Sequence, residues 1–334
     1  MAYTLNTFVI NDEDYYSGYT EVLSQMSVDL NNTNGAMALE NRNMKGELVK
    51  ASFFEAIGSD AIIQDRDPTD LTSATWNDLT MAETVGVRTW KTMKEKKAIS
   101  AFRALGEDVS TLSFVLGTQH AKAVALDYLN TGIAALVGAM SSETDMVFDA
   151  TDTATPTFTP ENLIRMRQKL GDASQNIVAL VVHSQMDADF LTEQVTSVVS
   201  TIAGPSLYTG ATGSFQLPIF KTDAPELVDL DPAGDGSLPA RYKVLGLTRE
   251  ALRMTEAQER DILTRTDDSA ANLAVQMTTE WSYFINVKGF AWTGGNYPTK
   301  GDLATAGNWD YVYTQGAKTG PGVVGYFTAR DDAA

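Results

Sequence analysis

The chain has no cysteine, which excludes disulfides, thiolate zinc sites and cysteine nucleophiles. That absence fits synthesis in a reducing cytoplasm. Histidine is scarce too, with only His120 and His183 present. No run approaches the ~20 continuous apolar residues that a membrane span needs. The opening, MAYTLNTFVINDEDYY, has neither the basic nor the apolar region of a secretory signal. Cations are outnumbered, 25 Lys and Arg against 43 Asp and Glu, for a net charge of -18. Phosphate backbones are bound by several cations at once, so this chain is a poor candidate for a DNA-binding domain. It can sit near nucleic acid only as a non-adhesive surface, and its acidity favours solubility. What remains is ordinary for a folded protein: 43% apolar residues, 20% charged, and length for about two domains.

Along the chain, Met1 to Gly35 reads as an arm, with a short helix near Glu21–Met26 and a break at Asn31–Gly35. It has too little apolar surface to fold alone. Met44–Gly58 is compatible with helix or strand, and Asp65–Pro68 ends it. Glu83–Trp90 alternates like a strand and runs into Lys91, Lys94, Lys96, Lys97 and Arg103, the only dense basic run. That run reads equally as a solvated hairpin or as a projection onto an acidic neighbour. Glu107–Ser141 has helical spacing through Val109, Leu112, Leu116, Ala123, Leu126, Leu129, Ile133, Leu136 and Met140, with Asp108 as N-cap. Such a helix would be roughly 50 Å long. Gly117, Gly132 and Gly138 within it predict close packing or a bend.

A cleaner unit follows. Thr159 caps a helix with Pro160 at its first position, Phe158 and Leu163 form a staple, and Gly171 stops it. Ile177–Val182 is apolar throughout, as in a strand buried on both faces. Ser184 opens the next helix. Further strands lie near Pro218–Lys221 and Tyr242–Leu247, so this part reads as mixed α/β.

Candidate chemistry is thin. His183–Ser184 after a strand suggests a nucleophile elbow, but the G-x-S-x-G glycines are missing and adjacent residues point to opposite faces. Asp229–Gly236 hints at a calcium loop, yet Ala233 and Ala240 stand where ligands are needed. No phosphate-cradling glycine motif occurs. Carboxylate pairs among so many acids arise by chance. The sequence therefore predicts no enzyme site, no metal and no cofactor, with an acidic cytosolic hydrolase as the distant alternative.

The most informative stretch is Trp281–Trp309, WSYFINVKGFAWTGGNYPTKGDLATAGNW. Trp281, Tyr283, Ile285 and Val287 make one face of a strand apolar, while Phe284, Phe290 and Trp292 fall on the other, so both faces should be covered. The E-W-S-Y strand, its V-K-G-F continuation and the P-T-x-x-x-L-A-T-A-x-N-W tail closely resemble the C-terminal signature of tailed-bacteriophage major capsid proteins of the 13-like family. GELVKASFFEAIG (Gly46–Gly58), the Arg88–Leu105 segment, the long helix, NIVALVVHS (Asn176–Ser184) and VLGLTREAL extend the resemblance over most of the chain.

The resemblance implies an α+β Hong Kong 97-like capsid fold. It assigns 1–35 to an N-terminal arm and 36–104 to an extended loop with flanking peripheral segments. The peripheral-domain spine helix takes 105–154, a mainly axial domain 155–274, and a peripheral strand and tail 275–334. It also implies self-assembly in the host cytoplasm, through hexamers and pentamers, into the icosahedral shell of a virion enclosing DNA. Scaffold, portal and decoration proteins would be partners, with no membrane involved. A nanocompartment shell of the same fold is the nearer alternative. Arg88, Lys91, Lys94, Lys96, Lys97 and Arg103 are the expected inter-subunit contacts, and the Gly- and Pro-containing tail is another.

Overall fold

The computed structural model describes residues 12–31, 33, 35–41, 45–54, 69, 81–98, 109–151, 156–201, 217–230, 232, 238–267, 273–313 and 320–330. Two mixed sheets flank one long helix. In chain order the elements begin with α1 (Asp12–Asn31), β1 (Met37–Asn41), β2 (Leu48–Phe54), β3 (Met81–Ala98) and α2 (Val109–Ser142). Then come β4 (Val147–Asp149), α3 (Pro160–Gln168), β5 (Ile177–His183), α4 (Ser184–Thr201), β6 (Ile219–Thr222), β7 (Val228–Asp229) and β8 (Ala240–Thr248). The rest are β9 (Leu252–Asp267), β10 (Ala274–Val287), β11 (Phe290–Trp292), α5 (Lys300–Ala304), β12 (Trp309–Tyr311) and β13 (Val323–Arg330). One sheet has the order β1-β9-β10-β3-β11-β12, with β2 also paired to β3. The other runs β4-β13-β8-β5-β6, with β7 paired to β8.

The long helix forms where helical spacing predicts it, but its buried face is not the predicted stripe. In its first half Ser113, Gly117, His120, Ala121, Val124 and Tyr128 are buried, whereas Leu126 is 56% exposed and Ala123 is exposed too. The cause is α1, which lies on this half. A Cβ on Gly117 would run into the Tyr15 carbonyl, and one on Gly18 would sit 2.8 Å from the Phe114 carbonyl oxygen. Small residues, not large ones, make that crossing. Asp12–Asn31 therefore forms a 20-residue helix packed on α2, longer than the short helix expected near Glu21–Met26. Asp108, the expected cap of α2, lies outside the described residues.

The second half of α2 has no exposed face. Every residue from Thr131 to Met140 is buried, because both sheets close on it. Its main core includes Ile133, Leu136 and Met140 from the helix, Tyr283 and Ile285 from one sheet, and Val181 and Leu245 from the other. Ser113–Ser142 has no continuous apolar run, as expected, yet by length and mean hydropathy it is apolar enough to cross a membrane. Its scattered polar residues break any continuous apolar run but leave the mean hydropathy high. Since 67% of its apolar window is buried inside the fold, this is a core helix.

The three helix glycines mark three close approaches. Gly117 meets α1, Gly132 meets Leu252 and Met254 of β9, and Gly138 meets Leu303 of α5 and Trp309 of β12. On the far face of the second sheet a separate core holds Phe158, Leu163, Met166, Phe190, Tyr242 and Tyr326. Here α3 forms as its local signals dictate. Thr159 accepts from the Asn162 amide at 3.2 Å, Pro160 follows, and Gly171 takes a φ of 55°. Within the 44–58 stretch, Leu48–Phe54 form a strand paired with Met81–Val87 of β3, and residues 44 and 55–58 lie outside the described residues.

Candidate inter-subunit surface

Arg88, Lys91, Lys94, Lys96 and Lys97 of the basic run lie on β3, an 18-residue strand that joins two structures. Its first part pairs with β2 in a hairpin, and Val87–Ala98 pairs with β10 through Ala274–Ile285. Side chains alternate across a strand, so the run divides between two faces. Val85, Val87, Thr89, Lys91, Met93 and Glu95 share the face toward α2, and Arg88, Trp90, Thr92, Lys94 and Lys96 share the other.

On the inner face, Lys91 Nζ reaches Asp127 Oδ1 of α2 at 3.0 Å and Thr131 Oγ1 at 3.3 Å. The other Asp127 oxygen accepts from the Tyr283 hydroxyl at 3.2 Å, and the Tyr283 and Tyr128 rings lie 4.3 Å apart. Burial raises the ionisation of both phenols far above the usual range. Glu256 adds to this at Tyr128, and the Asp127 charge adds to it at both. Two turns earlier, buried His120 hydrogen-bonds Tyr15 through Nδ1 at 3.0 Å and Glu95 through Nε2 at 2.8 Å. That bridge ties α1, α2 and β3 together.

The outer face is different. The Arg88 guanidinium stacks 3.9 Å over Trp90 and donates to Ser282 Oγ at 2.7 and 3.0 Å and to the Gly46 carbonyl at 3.2 Å. Lys96 pairs with Asp267, whose carboxylate also accepts from Gln276, and Gln276 in turn accepts from Arg265 at 2.8 Å. Lys94 is exposed and has no ion-pair partner among the described residues. Lys97 is described in its backbone, which pairs with Val275, and Arg103 lies outside the described residues. Of the six expected contacts, Arg88, Lys91 and Lys96 are thus engaged within the subunit, and Lys94 is presented outward. Trp90, absent from the expected set, is 46% exposed beside it. The parity of Val85 and Val87 was the signal that could have sorted this run, because it puts Lys91 inside and Trp90 outside.

The C-terminal tail folds back on its own helix. Trp281, Tyr283, Ile285 and Val287 face the core under α2, and Phe284 alone of the expected second set lies on the opposite face of β10. Phe290 and Trp292 belong to β11, beyond a turn at Gly289 with φ 85°, and they join the same core as Tyr283. Trp292 and Trp309 meet edge-to-face at 5.1 Å, and Trp309 Nε1 donates to the Leu303 carbonyl at 2.8 Å. A Thr299–Asp302 capping box starts α5, and its hydrogen bonds hold the Asp302 carboxyl below the usual carboxylate range. Tyr297 remains 69% exposed, donating to Glu47 at 2.8 Å.

Candidate catalytic groups are not arranged for catalysis. The Ser184 hydroxyl bonds Asp223 rather than His183, and the His183 Nδ1 accepts from the Gln185 amide at 3.3 Å. A serine nucleophile needs the histidine as its base, with the carboxylate behind it. Here Asp223 lies between the two, with His183 Nε2 at 3.8 Å. The cap at this helix start is supplied by His183 rather than by Ser184. No group of three or more metal-ligating side chains occurs among the described residues, and most of the calcium-like loop lies outside them.

The architecture has clear relatives among solved structures. It superposes on the capsid asymmetric unit of cyanophage Pam1 with a TM-score of 0.52 at 12% identity, covering 86% of each chain. The capsid of Ralstonia phage GP4 matches with a TM-score of 0.53 at 9% identity, covering 90% of this chain and 89% of that one. A structure of Mycobacterium phage Cain gives 0.53 at 10% identity, covering 90% of each. The fold is therefore the Hong Kong 97-like α+β fold of phage capsid subunits. No curated protein matches the sequence. The chain belongs to the major capsid protein 13-like family, whose model matches residues 7–324. It is a structural protein that associates with copies of itself in the capsid of a virion.

Proposed function

We propose that many copies of this chain close into an icosahedral head shell around double-stranded DNA, and that the shell is its whole function, with no enzymatic step. The family match over nearly the whole chain carries this reading. Residues 1–35 act as the arm, 36–104 as the extended loop with flanking peripheral segments, and 105–154 as the spine. The axial domain is 155–274, and the peripheral domain is completed by 275–334. Arms and loops that fold poorly alone gain order on neighbours, so each subunit is tied to several others. An excess of 18 negative charges keeps the inner wall from adhering to DNA. A separate scaffold protein, a portal and decoration proteins complete the assembly.

The basic run of β3 supplies inter-subunit electrostatics, led by Lys94, which has no ion-pair partner among the described residues. Electron microscopy of purified particles tests the shell reading. Large DNA-containing shells are expected, whereas small DNA-free shells would identify a nanocompartment and the absence of particles would overturn the reading. Reversal of Lys94, Lys96 and Lys97 to Glu should block assembly and leave a soluble monomer. Lys94→Glu alone is the cleaner variant, because Lys96 already pairs with Asp267 inside the subunit.

A further inference from the structure

Where β8 turns into β9 and β10 into β11, the two sheets border a cavity of about 410 Å³. Leu170, Val178 and Pro321 line its apolar part, and Asn176, Arg249 and Lys288 its polar part. Among the described lining residues there are two cations and no carboxylate, on a chain whose acids outnumber its cations 43 to 25. The acids nearest in sequence, Asp172 and Glu250, do not line it, and Glu250 turns to Arg253 at 3.2 Å. Lys288 Nζ donates to the Arg249 carbonyl at 3.1 Å, which leaves two of its three donors unused. The Arg249 guanidinium is exposed and has no hydrogen-bond or ion-pair partner among the described residues.

The cations stand on a fixed frame. The Thr248 amide donates to the Gly322 carbonyl at 2.9 Å, the Gly322 amide to Lys288 at 2.8 Å, and the Lys288 amide to Ala251 at 3.0 Å. The buried Thr248 hydroxyl adds a bond to the Pro321 carbonyl at 3.1 Å. Glu250, next to Arg249, has a φ of 57°, uncommon for any residue but glycine, and its amide is held by the Gly35 carbonyl at 2.8 Å. Such a backbone persists only where its surroundings fix it, and it clusters at ligand sites. Donors fixed before binding lose little entropy on binding. We infer that this cavity binds a small phosphate-bearing anion, with Arg249 and Lys288 on the phosphate oxygens and Asn176 as a further donor. The volume falls within the range of small-molecule sites, about 300–1,000 Å³, and exceeds a bare phosphate. The space over Leu170, Val178 and Pro321 therefore suits the carbon part of a phosphate ester. Duplex DNA fits less well, because it needs many cations along its backbone and meets a chain of net charge -18.

Equilibrium dialysis of radiolabelled inorganic phosphate against the purified subunit tests this, with chloride holding the ionic strength constant. Saturation at one phosphate per subunit is expected. Arg249→Gln and Lys288→Gln should each weaken binding at least about tenfold, as expected for the loss of a hydrogen bond to a charged group. Lys122→Gln, an exposed cation on α2, should leave it unchanged. Arg249→Gln is the decisive variant, because its guanidinium has no partner to lose, and its urea unfolding without phosphate should match the parent. Glycerol 3-phosphate binding more tightly than inorganic phosphate assigns an ester as the ligand, and equal binding assigns the free ion. Absence of saturable binding overturns the site, as does equal weakening by Lys122→Gln, which would reduce it to general charge. Displacement of phosphate by a short DNA duplex at lower phosphate concentration than by glycerol 3-phosphate overturns the small anion as ligand. None of these outcomes depends on whether the subunit forms shells.

Discussion

Substituting Gly138 by Ala sets two known effects against each other, and the structure decides the sign. In an exposed helix the change would stabilise by about 1 kcal/mol, because glycine is the poorer helix former. Here the new Cβ would lie 2.8 Å from Trp309 Nε1 and closer still to the Leu303 carbonyl oxygen, whereas ordinary contact begins at 3.4 Å. Leu303 is fully buried and Trp309 is 4% exposed, so neither has room to retreat. Overpacking of this kind costs about 1–3 kcal/mol. Separating the indole N–H from the Leu303 carbonyl leaves a buried donor unpaired, for about 1–3 kcal/mol more. After the helix-propensity gain, the net loss should be about 1–5 kcal/mol. Urea unfolding of the free subunit, followed by tryptophan fluorescence, measures it. Ala123→Gly on the exposed face of the same helix serves as the control and should cost about 1 kcal/mol. A Gly138→Ala subunit as stable as the parent, or more stable, would refute the argument that α5 and β12 are wedged against that glycine.

Gly117→Ala should unseat α1 by pushing against the Tyr15 backbone, so limited proteolysis should cut within residues 12–31 sooner than in the parent. His120→Ala removes the bridge between Tyr15 and Glu95 and should cost about 1–3 kcal/mol in urea unfolding, because Tyr15 is 2% exposed and loses this partner. Tyr128 and Tyr283 titrate far above the unfolded value of about 10, so the stability they contribute is complete below that pH and falls as the pH rises beyond it. Two such phenols give a slope of about 2.7 kcal/mol per pH unit. Phenolate absorbance of this pair should appear only together with alkaline unfolding; gradual ionisation in a still-folded subunit would contradict it.

Local chemistry was legible in the sequence, and packing between distant segments was not. Thr159, Pro160 and the Phe158–Leu163 staple fix α3 because every partner lies within a few residues. The apolar run at Ile177–Val182 marks β5 because both of its faces are covered. By contrast, periodicity counts large apolar residues, and α2 meets α1 through Gly117, Ala121 and Gly18, which carry almost no side chain. Hence Leu126 reads as core and stands in solvent. The same reason hides α1, whose Gly18 looks like a helix breaker but is the site of close approach. The strand β9 is hard to read in the sequence because its centre, Glu256–Asp261, is mostly polar and charged. At the candidate surface, the residue types of β3 were plain, but which of them neutralise partners inside the subunit depends on Asp127 and Asp267, far away in sequence.

The continuity of β3 has a mechanical consequence. Its first part is one leg of the β2–β3 hairpin, and its second part is held along Val87–Ala98 by β10. Backbone hydrogen bonds between antiparallel strands run perpendicular to the strand axis. A pull applied along the hairpin would therefore strain the whole ladder at once, in shear, rather than open it bond by bond as in peeling. The load then passes through Lys91–Asp127 and the Tyr283 contacts into α2, which both sheets grip. A shell wall under tension from within would be carried by rods of this kind, with the strand as cable and the helix as anchor.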